Sequence, residues 1–246
     1  MAQPRRGNVG PESGPDTESE GAAQPQHYFS ADPAVESART SIEISARGVT
    51  LELQTDVGVF SAGKLDKGTR ILLQHVPPPP NRGRYLDLGC GYGPIATTMA
   101  ATRRRAEVWA VDINNRALEL VRDNSARAGL KNVKACRPEE VPQGLEFDFI
   151  YSNPPIRIGK AALHELLLKW LPRLTPDGAA FMVVQRNLGS DSLAKWLNEQ
   201  GFPTERLISR EGFRILRTTR PREAVGSDPE ASAAPEAPSA PEKTAG

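Results

Sequence analysis

Ser41-Ile-Glu-Ile-Ser45 alternates polar and apolar positions, and so does Val49-Thr-Leu-Glu-Leu-Gln54, with Arg47-Gly48 between them. Two period-2 runs joined by a glycine turn predict a β-hairpin. From Lys64 to Val76, Ile71, Leu72 and the His75–Val76 end form one apolar face, which predicts a helix. Pro77 to Pro80 end it, because proline offers no N–H and clashes with the preceding turn. Beyond Arg84 the period switches back and forth. Strands are predicted over Tyr85 to Leu88, Glu107 to Asp112, Asn132 to Cys136, Phe147 to Ser152 and Ala179 to Gln185. Helices are predicted from about Pro94 to Ala101, Asn115 to Ala128, Lys160 to Trp170 and Ser192 to Gln200. Strand–helix alternation of this kind implies a parallel, doubly wound α/β sheet. Glu205 to Arg210 and Phe213 to Thr218, joined by Glu211-Gly212, close the pattern as an antiparallel hairpin.

Composition changes this picture mainly at the ends. Residues 1–26 are rich in Gly, Pro, Gln and Glu, and residues 221–246 in Ala, Pro, Glu and Ser, with no apolar period. Both are expected to be disordered tails. The folded part is then 27–220, divided into an N-terminal hairpin and helix (27–80) and a core (81–220). The whole chain carries +1, and the tails −2 and −3, which leaves +6 on 27–220. A basic interior suits a polyanionic partner and equally suits a solvated surface. The two cysteines, Cys90 and Cys136, form no metal or disulfide pattern. Arg5 and Arg6 precede no apolar stretch, so no signal peptide is expected, and no apolar run is long enough for a membrane span. A cytoplasmic location without membrane contact is the simplest expectation. The sequence leaves the oligomeric state open.

The candidate chemistry lies where the predicted strands end, since open α/β sheets bind ligands beyond the carboxyl ends of their strands. The first strand runs through Asp87-Leu-Gly-Cys-Gly-Tyr-Gly-Pro94 into a helix. Gly89, Gly91 and Gly93 let backbone N–H groups approach a ligand, with the helix N-terminus behind them. Asp112, with Ile113, ends the second strand, where a carboxylate can accept from ribose hydroxyls or cap the next helix. Glu139 follows the third, where it meets an adenine amine or only solvent. Asn153-Pro-Pro-Ile156 follows the fourth. Its two prolines remove two donors and fix the backbone, leaving the Asn153 amide oxygen and the Pro154 carbonyl as acceptors. That pair suits an exocyclic –NH2, whose nitrogen lone pair it would orient. A dehydrogenase reading fails on spacing, because its fingerprint is Gly-x-Gly-x-x-Gly.

These residues together resemble the class I S-adenosylmethionine-dependent methyltransferases that act on amino nitrogens. More narrowly, the chain resembles the small-subunit ribosomal RNA guanine-N2 methyltransferases and their single-domain relatives. The likeness runs from His27-Tyr-Phe-Ser30 through Gly58-Val-Phe-Ser61 and Leu65-Asp-Lys-Gly-Thr69 to Asn153-Pro-Pro-Ile-Arg-Ile-Gly-Lys160. The larger members carry an extra N-terminal methyltransferase-like domain, which this chain is expected to lack. The resemblance implies a Rossmann-like fold with a mostly parallel seven-stranded sheet, S-adenosylmethionine as cofactor and ribosomal RNA or the small ribosomal subunit as partner. It implies that Asp87, Gly89, Cys90, Gly91 and Gly93 hold the methionine part, Asp112 and Ile113 the ribose side, and Glu139 the adenine. Asn153, Pro154, Pro155 and Ile156 would hold the amino group under attack, and Phe60 to Thr69 would cover the cofactor. Many amino methyltransferases carry an aromatic residue where Ile156 stands; isoleucine covers a ring but does not π-stack. Cys90 is read as a small packing residue, His164 as a helix-surface histidine, and Arg157 and Lys160 as phosphate contacts or loop solvation. The rival functions are a protein glutamine N5-methyltransferase and a binding module without activity.

Overall fold

The computed structural model describes residues 35–221. Both expected tails and the His27-Tyr-Phe-Ser30 stretch lie outside the described residues, apart from residue 221. The chain opens with strands β1 (Thr40–Ala46) and β2 (Val49–Thr55), paired antiparallel. Arg47 and Gly48 between them have φ of 54° and 77°. Positive φ at both central residues is the primed turn that matches strand twist. In register, Ile42 faces Leu53 and Ile44 faces Leu51. Ile44 and Leu53 bury one face of the hairpin against Tyr92, Ala117 and Leu120.

Helix α1 (Lys67–His75) starts three residues later than the apolar pattern suggests. The reason is local: the Asp66 carboxylate accepts from Thr69 N, and this N-cap fixes the start. Then follow β3 (Arg84–Leu88), α2 (Pro94–Thr102), β4 (Glu107–Val111), α3 (Asn115–Arg127), β5 (Val133–Cys136), β6 (Phe147–Ser152) and α4 (Lys160–Trp170). The chain continues through β7 (Leu174–Gln185), α5 (Ser190–Glu199), β8 (Thr204–Arg210) and β9 (Phe213–Thr219). Strand β7 begins five residues earlier than Ala179, because Leu174 also pairs with Phe147 across an irregularity before Ala179 pairs with Phe149. Arg103 caps the C-terminal end of α2, and its guanidinium reaches across to the Pro79 carbonyl.

The seven-stranded sheet has the order β5-β4-β3-β6-β7-β9-β8, parallel except for β9, which runs antiparallel to both neighbours. The order reverses between β3 and β6, and a ligand crevice opens at such a switch point. Consecutive residues of the central strands fall into two cores. Tyr85, Tyr151, Phe181, Val183 and Ile215 join the cluster that contains residues of α1, α2 and α3. Leu86, Ile150, Met182, Val184 and Leu216 join the cluster that contains residues of α4 and α5. Both faces are covered, so these strands read as near-continuous apolar runs. Each fully buried large side chain, Trp170 among them, contributes about 2–3 kcal/mol of transfer free energy. Among the described residues no helix is long and apolar enough to cross a membrane.

Candidate active site

The glycine loop is held by the strand beside it. Gly89 N and Cys90 N donate to the Val111 carbonyl at 2.9 and 3.1 Å, and Gly91 N donates to Asp112 Oδ2 at 2.9 Å. Gly89, Gly91 and Gly93 have φ of 73°, 54° and 88°. Their reasons for being glycine differ. A Cβ on Gly93 would lie 2.9 Å from Val121 Cγ2, so this residue permits the close approach of α2 and α3. A Cβ on Gly89 would meet no protein atom within 4 Å. It would stand in the cavity that Gly89 and Gly91 line.

Asp87 lies beneath the loop rather than on the cavity wall. It is 1 % exposed; Oδ2 accepts from Ala96 N at 2.9 Å in the first turn of α2, and buried Oδ1 has no partner among the described residues. Burial pushes this carboxyl up to about 8, with the Asp112 charge adding to the rise and the Ala96 bond opposing it. Asp112 is also raised by burial, against the pull of N–H donors from Asn114, Gly91 and Ile113. Its Oδ1 accepts from Asn114 N at 3.0 Å. Asp112 therefore ties the loop to the start of α3 and lines the cavity as well. Cys90 is buried in the core, where desolvation keeps its thiol protonated.

The main cavity measures about 400 Å³, within the range of small-molecule sites. Leu88, Val111, Ile113 and Pro138 give it an apolar wall beside Asp112. Glu139 is not part of that wall. It is exposed and pairs with Arg137 at 2.5 Å, and Pro138 takes its expected place. Val59 and Phe60 form the roof. That segment is pinned where Asn114 Nδ2 donates to Gly58 O at 2.9 Å and Tyr92 Oη donates to Lys64 O at 3.2 Å.

Asn153 stands at the end of β6, half-buried on the same cavity. Its Nδ2 donates to Asp66 Oδ1 at 2.6 Å and to Thr69 Oγ1 at 3.1 Å. The Pro154 carbonyl accepts from Ile156 N at 2.8 Å, with Pro155 at φ −74° and ψ 73°. This inverse γ-turn fixes the carbonyl and leaves its second lone pair. Ile156 lines the cavity, and so do Gln185, Leu188 and Phe213 from the ends of β7 and β9. Phe213 supplies an aromatic wall that Ile156 does not. Arg157 is exposed at the rim, whereas Lys160 begins α4 off the cavity wall. His164 stacks on Trp196 with ring centroids 3.5 Å apart, away from the site.

Gln185 and Phe213 are the site residues that sequence reasoning missed, because a strand end says nothing about which neighbour it meets. Asp66 and Thr69 fall within the Phe60 to Thr69 segment expected to cover the cofactor, but their bonds to Asn153 were not foreseen.

The residues present fit a cationic nucleoside cofactor. The cradle at Gly89 is open, the neighbouring wall is apolar, and Asp112, half-buried on that wall, forms no ion pair among the described residues. The family model for the methyltransferase small domain matches residues 50–217. The protein YbxB of Bacillus subtilis (strain 168) is 31% identical over 198 residues, covering 79% of this chain and 98% of that one. The ribosomal RNA small subunit methyltransferase C of Hahella chejuensis (strain KCTC 2396) is 34% identical over 177 residues, covering 70% of this chain and 50% of the relative. Among solved structures, the T. thermophilus 16S rRNA N2 G1207 methyltransferase (RsmC), in complex with AdoMet and guanosine, superposes with a TM-score of 0.65. It is 26% identical, with 76% of this chain and 52% of that chain covered. This chain thus spans about half the length of the methyltransferase C relatives and nearly all of YbxB.

Proposed function

Because the chain belongs to the methyltransferase small domain family, and so uses S-adenosylmethionine, we propose that it methylates an exocyclic amino group of RNA, guanine N2 of small-subunit ribosomal RNA. The observation that carries this reading is the Asn153 amide. Both of its Nδ2 hydrogens are committed within the protein, to Asp66 and Thr69. Its Oδ1 makes no hydrogen bond among the described residues and borders the cavity. Beside it the Pro154 carbonyl keeps a free lone pair. Two fixed acceptors and no donor recognise an –NH2 group and reject a carbonyl. They take its two hydrogens, and the nitrogen lone pair is left as the nucleophile.

The cofactor supplies an electrophilic methyl carbon on a sulfonium. The protein contributes position and a dry wall: Val59 and Phe60 above, Ile156 and Phe213 beside the acceptor. No base is required if the amine proton leaves to water after transfer. Phe213 offers a face on which a planar base can stack. Exposed Arg157, Arg186 and Arg210, none in an ion pair among the described residues, lie on the rim or adjoin the wall residues Ile156, Gln185 and Phe213. They suit a polyanion, and the homologues named as ribosomal RNA methyltransferases support RNA over a protein amide.

The test is incubation with methyl-labelled S-adenosylmethionine and three acceptors: naked small-subunit RNA, the assembled subunit and whole-protein extract. The expected product is N2-methylguanosine in an RNA digest. Label in protein alone overturns the reading. Asn153→Ala is expected to lower transfer by about 100-fold or more while cofactor affinity stays within a few-fold.

A further inference from the structure

Resting on that amine-methylating reading, we propose that Asp66 is a positioning residue for Asn153. It locks the amide so that Oδ1, and not Nδ2, is presented to the acceptor. An asparagine χ2 is broad and two-fold, so an unrestrained amide presents either end. Nδ2 towards an –NH2 sets donor against donor. The Asp66 carboxylate removes that ambiguity. An ionised carboxylate oxygen only accepts, and it lies 2.6 Å from Nδ2. The flipped amide would put two acceptor oxygens at that distance. Thr69 Oγ1 takes the second hydrogen at 3.1 Å.

Asp66 is itself held firmly. The same Oδ1 accepts from Thr69 N at 2.9 Å as the N-cap of α1, and Thr69 is 4 % exposed. Gly68, between them, is buried under the Phe213 ring, to which an added Cβ would come within 3.0 Å. One helix start thereby seats the amide of β6 and the aromatic wall of β9. Asp66 lines the cavity together with Asn153, so the link lies at the site and not behind it.

A helix cap alone would make the same bond to Thr69 N, and the two roles separate by side-chain length. Serine at 66 caps a helix well but is one bond shorter, so it cannot also reach Asn153. Asparagine at 66 can offer one oxygen to both partners. The test uses Asp66→Ser, Asp66→Asn and Asn153→Ala in the full chain. The first readout is solvent exchange of the Asn153 side-chain amide in 15N-edited NMR, assigned by its loss in Asn153→Ala. The second is methyl transfer to small-subunit RNA. Asp66→Ser is expected to speed amide exchange at least tenfold and to lower kcat about 10- to 100-fold, with cofactor Kd near wild type. Asp66→Asn is expected to keep both within about fivefold. If Asp66→Ser does not fold, Thr69→Val keeps the capping N–H, removes Oγ1 and should again speed exchange. Wild-type exchange and kcat in Asp66→Ser reduce Asp66 to a cap and overturn the proposal. Equal losses in the Ser and Asn variants overturn it too, because charge rather than geometry then governs. If wild-type protein methylates no RNA, the substrate reading falls while the exchange experiment still decides the locking.

Discussion

Replacing Asp87 by Asn should stabilise the cofactor-free protein at pH 8 and leave it little changed at pH 5. The carboxyl goes from an ordinary 3.8 in the unfolded chain to about 8 in the folded one, because burial withholds water and only Ala96 N donates to it. The folded state therefore keeps a proton that the unfolded state has released. Stability falls wherever the folded state binds more protons, so it is fully present below about pH 4 and declines towards pH 8. One proton is worth about 1.4 kcal/mol per pH unit, so the loss across that window is on the order of 5 kcal/mol. Asp112, raised in the same direction, adds to the slope, and the Cys90 thiol acts only at higher pH. The amide introduced by Asp87→Asn offers an oxygen to Ala96 N but buries an NH2 where Oδ1 now has no partner, which costs about 1–3 kcal/mol. The net gain at pH 8 is then about 2–4 kcal/mol. Urea unfolding of both proteins without cofactor, at half-unit steps from about pH 5 to 8, measures it. Wild type should lose midpoint steadily and Asp87→Asn much less. Parallel pH profiles for the two proteins would refute the assignment of a buried, protonated Asp87.

Gly93→Ala should destabilise by about 2–3 kcal/mol through positive φ and the 2.9 Å approach to Val121, with part of the loss recovered by Val121→Ala. Gly89→Ala should cost only about 1–2 kcal/mol of stability yet weaken S-adenosylmethionine binding at least tenfold by calorimetry, since its methyl enters the cavity. Asn124→Ala should cost about 3 kcal/mol in thermal or urea unfolding. It removes three bonds, Nδ2 to Gln54 O and Tyr92 O at 2.9 Å and Gln54 N to Oδ1 at 2.7 Å, from a fully buried side chain. Phe213→Leu should raise KM for the RNA acceptor several-fold with cofactor Kd unchanged, and Phe213→Tyr should restore it, if the ring stacks a base.

Local signals carried the sheet and half of the site. The alternation over 41–54 and the switches of period after Arg84 report which side chains face a core, and one face or two is what fixes a strand. The glycine spacing and the residue after each strand likewise lie within a few positions of the backbone geometry that they impose. Boundaries shifted where the apolar pattern is not what decides: α1 starts at its local Asp66 cap, and β7 extends back because Leu174 finds its tertiary partner Phe147. Glu139 stands off the cavity wall because of a neighbour. Position after β5 was legible, but an adjacent Arg137 turns the carboxylate outward and leaves Pro138 on the wall. The bond from Asn153 to Asp66 spans 87 residues, and no period encodes it. Read in sequence, Asp66 belongs to the segment expected to cover the cofactor and Asn153 is an acceptor, each complete without the other. Only the fold shows that one carboxylate oxygen serves both, so that the segment before the sheet fixes which end of the amide β6 presents.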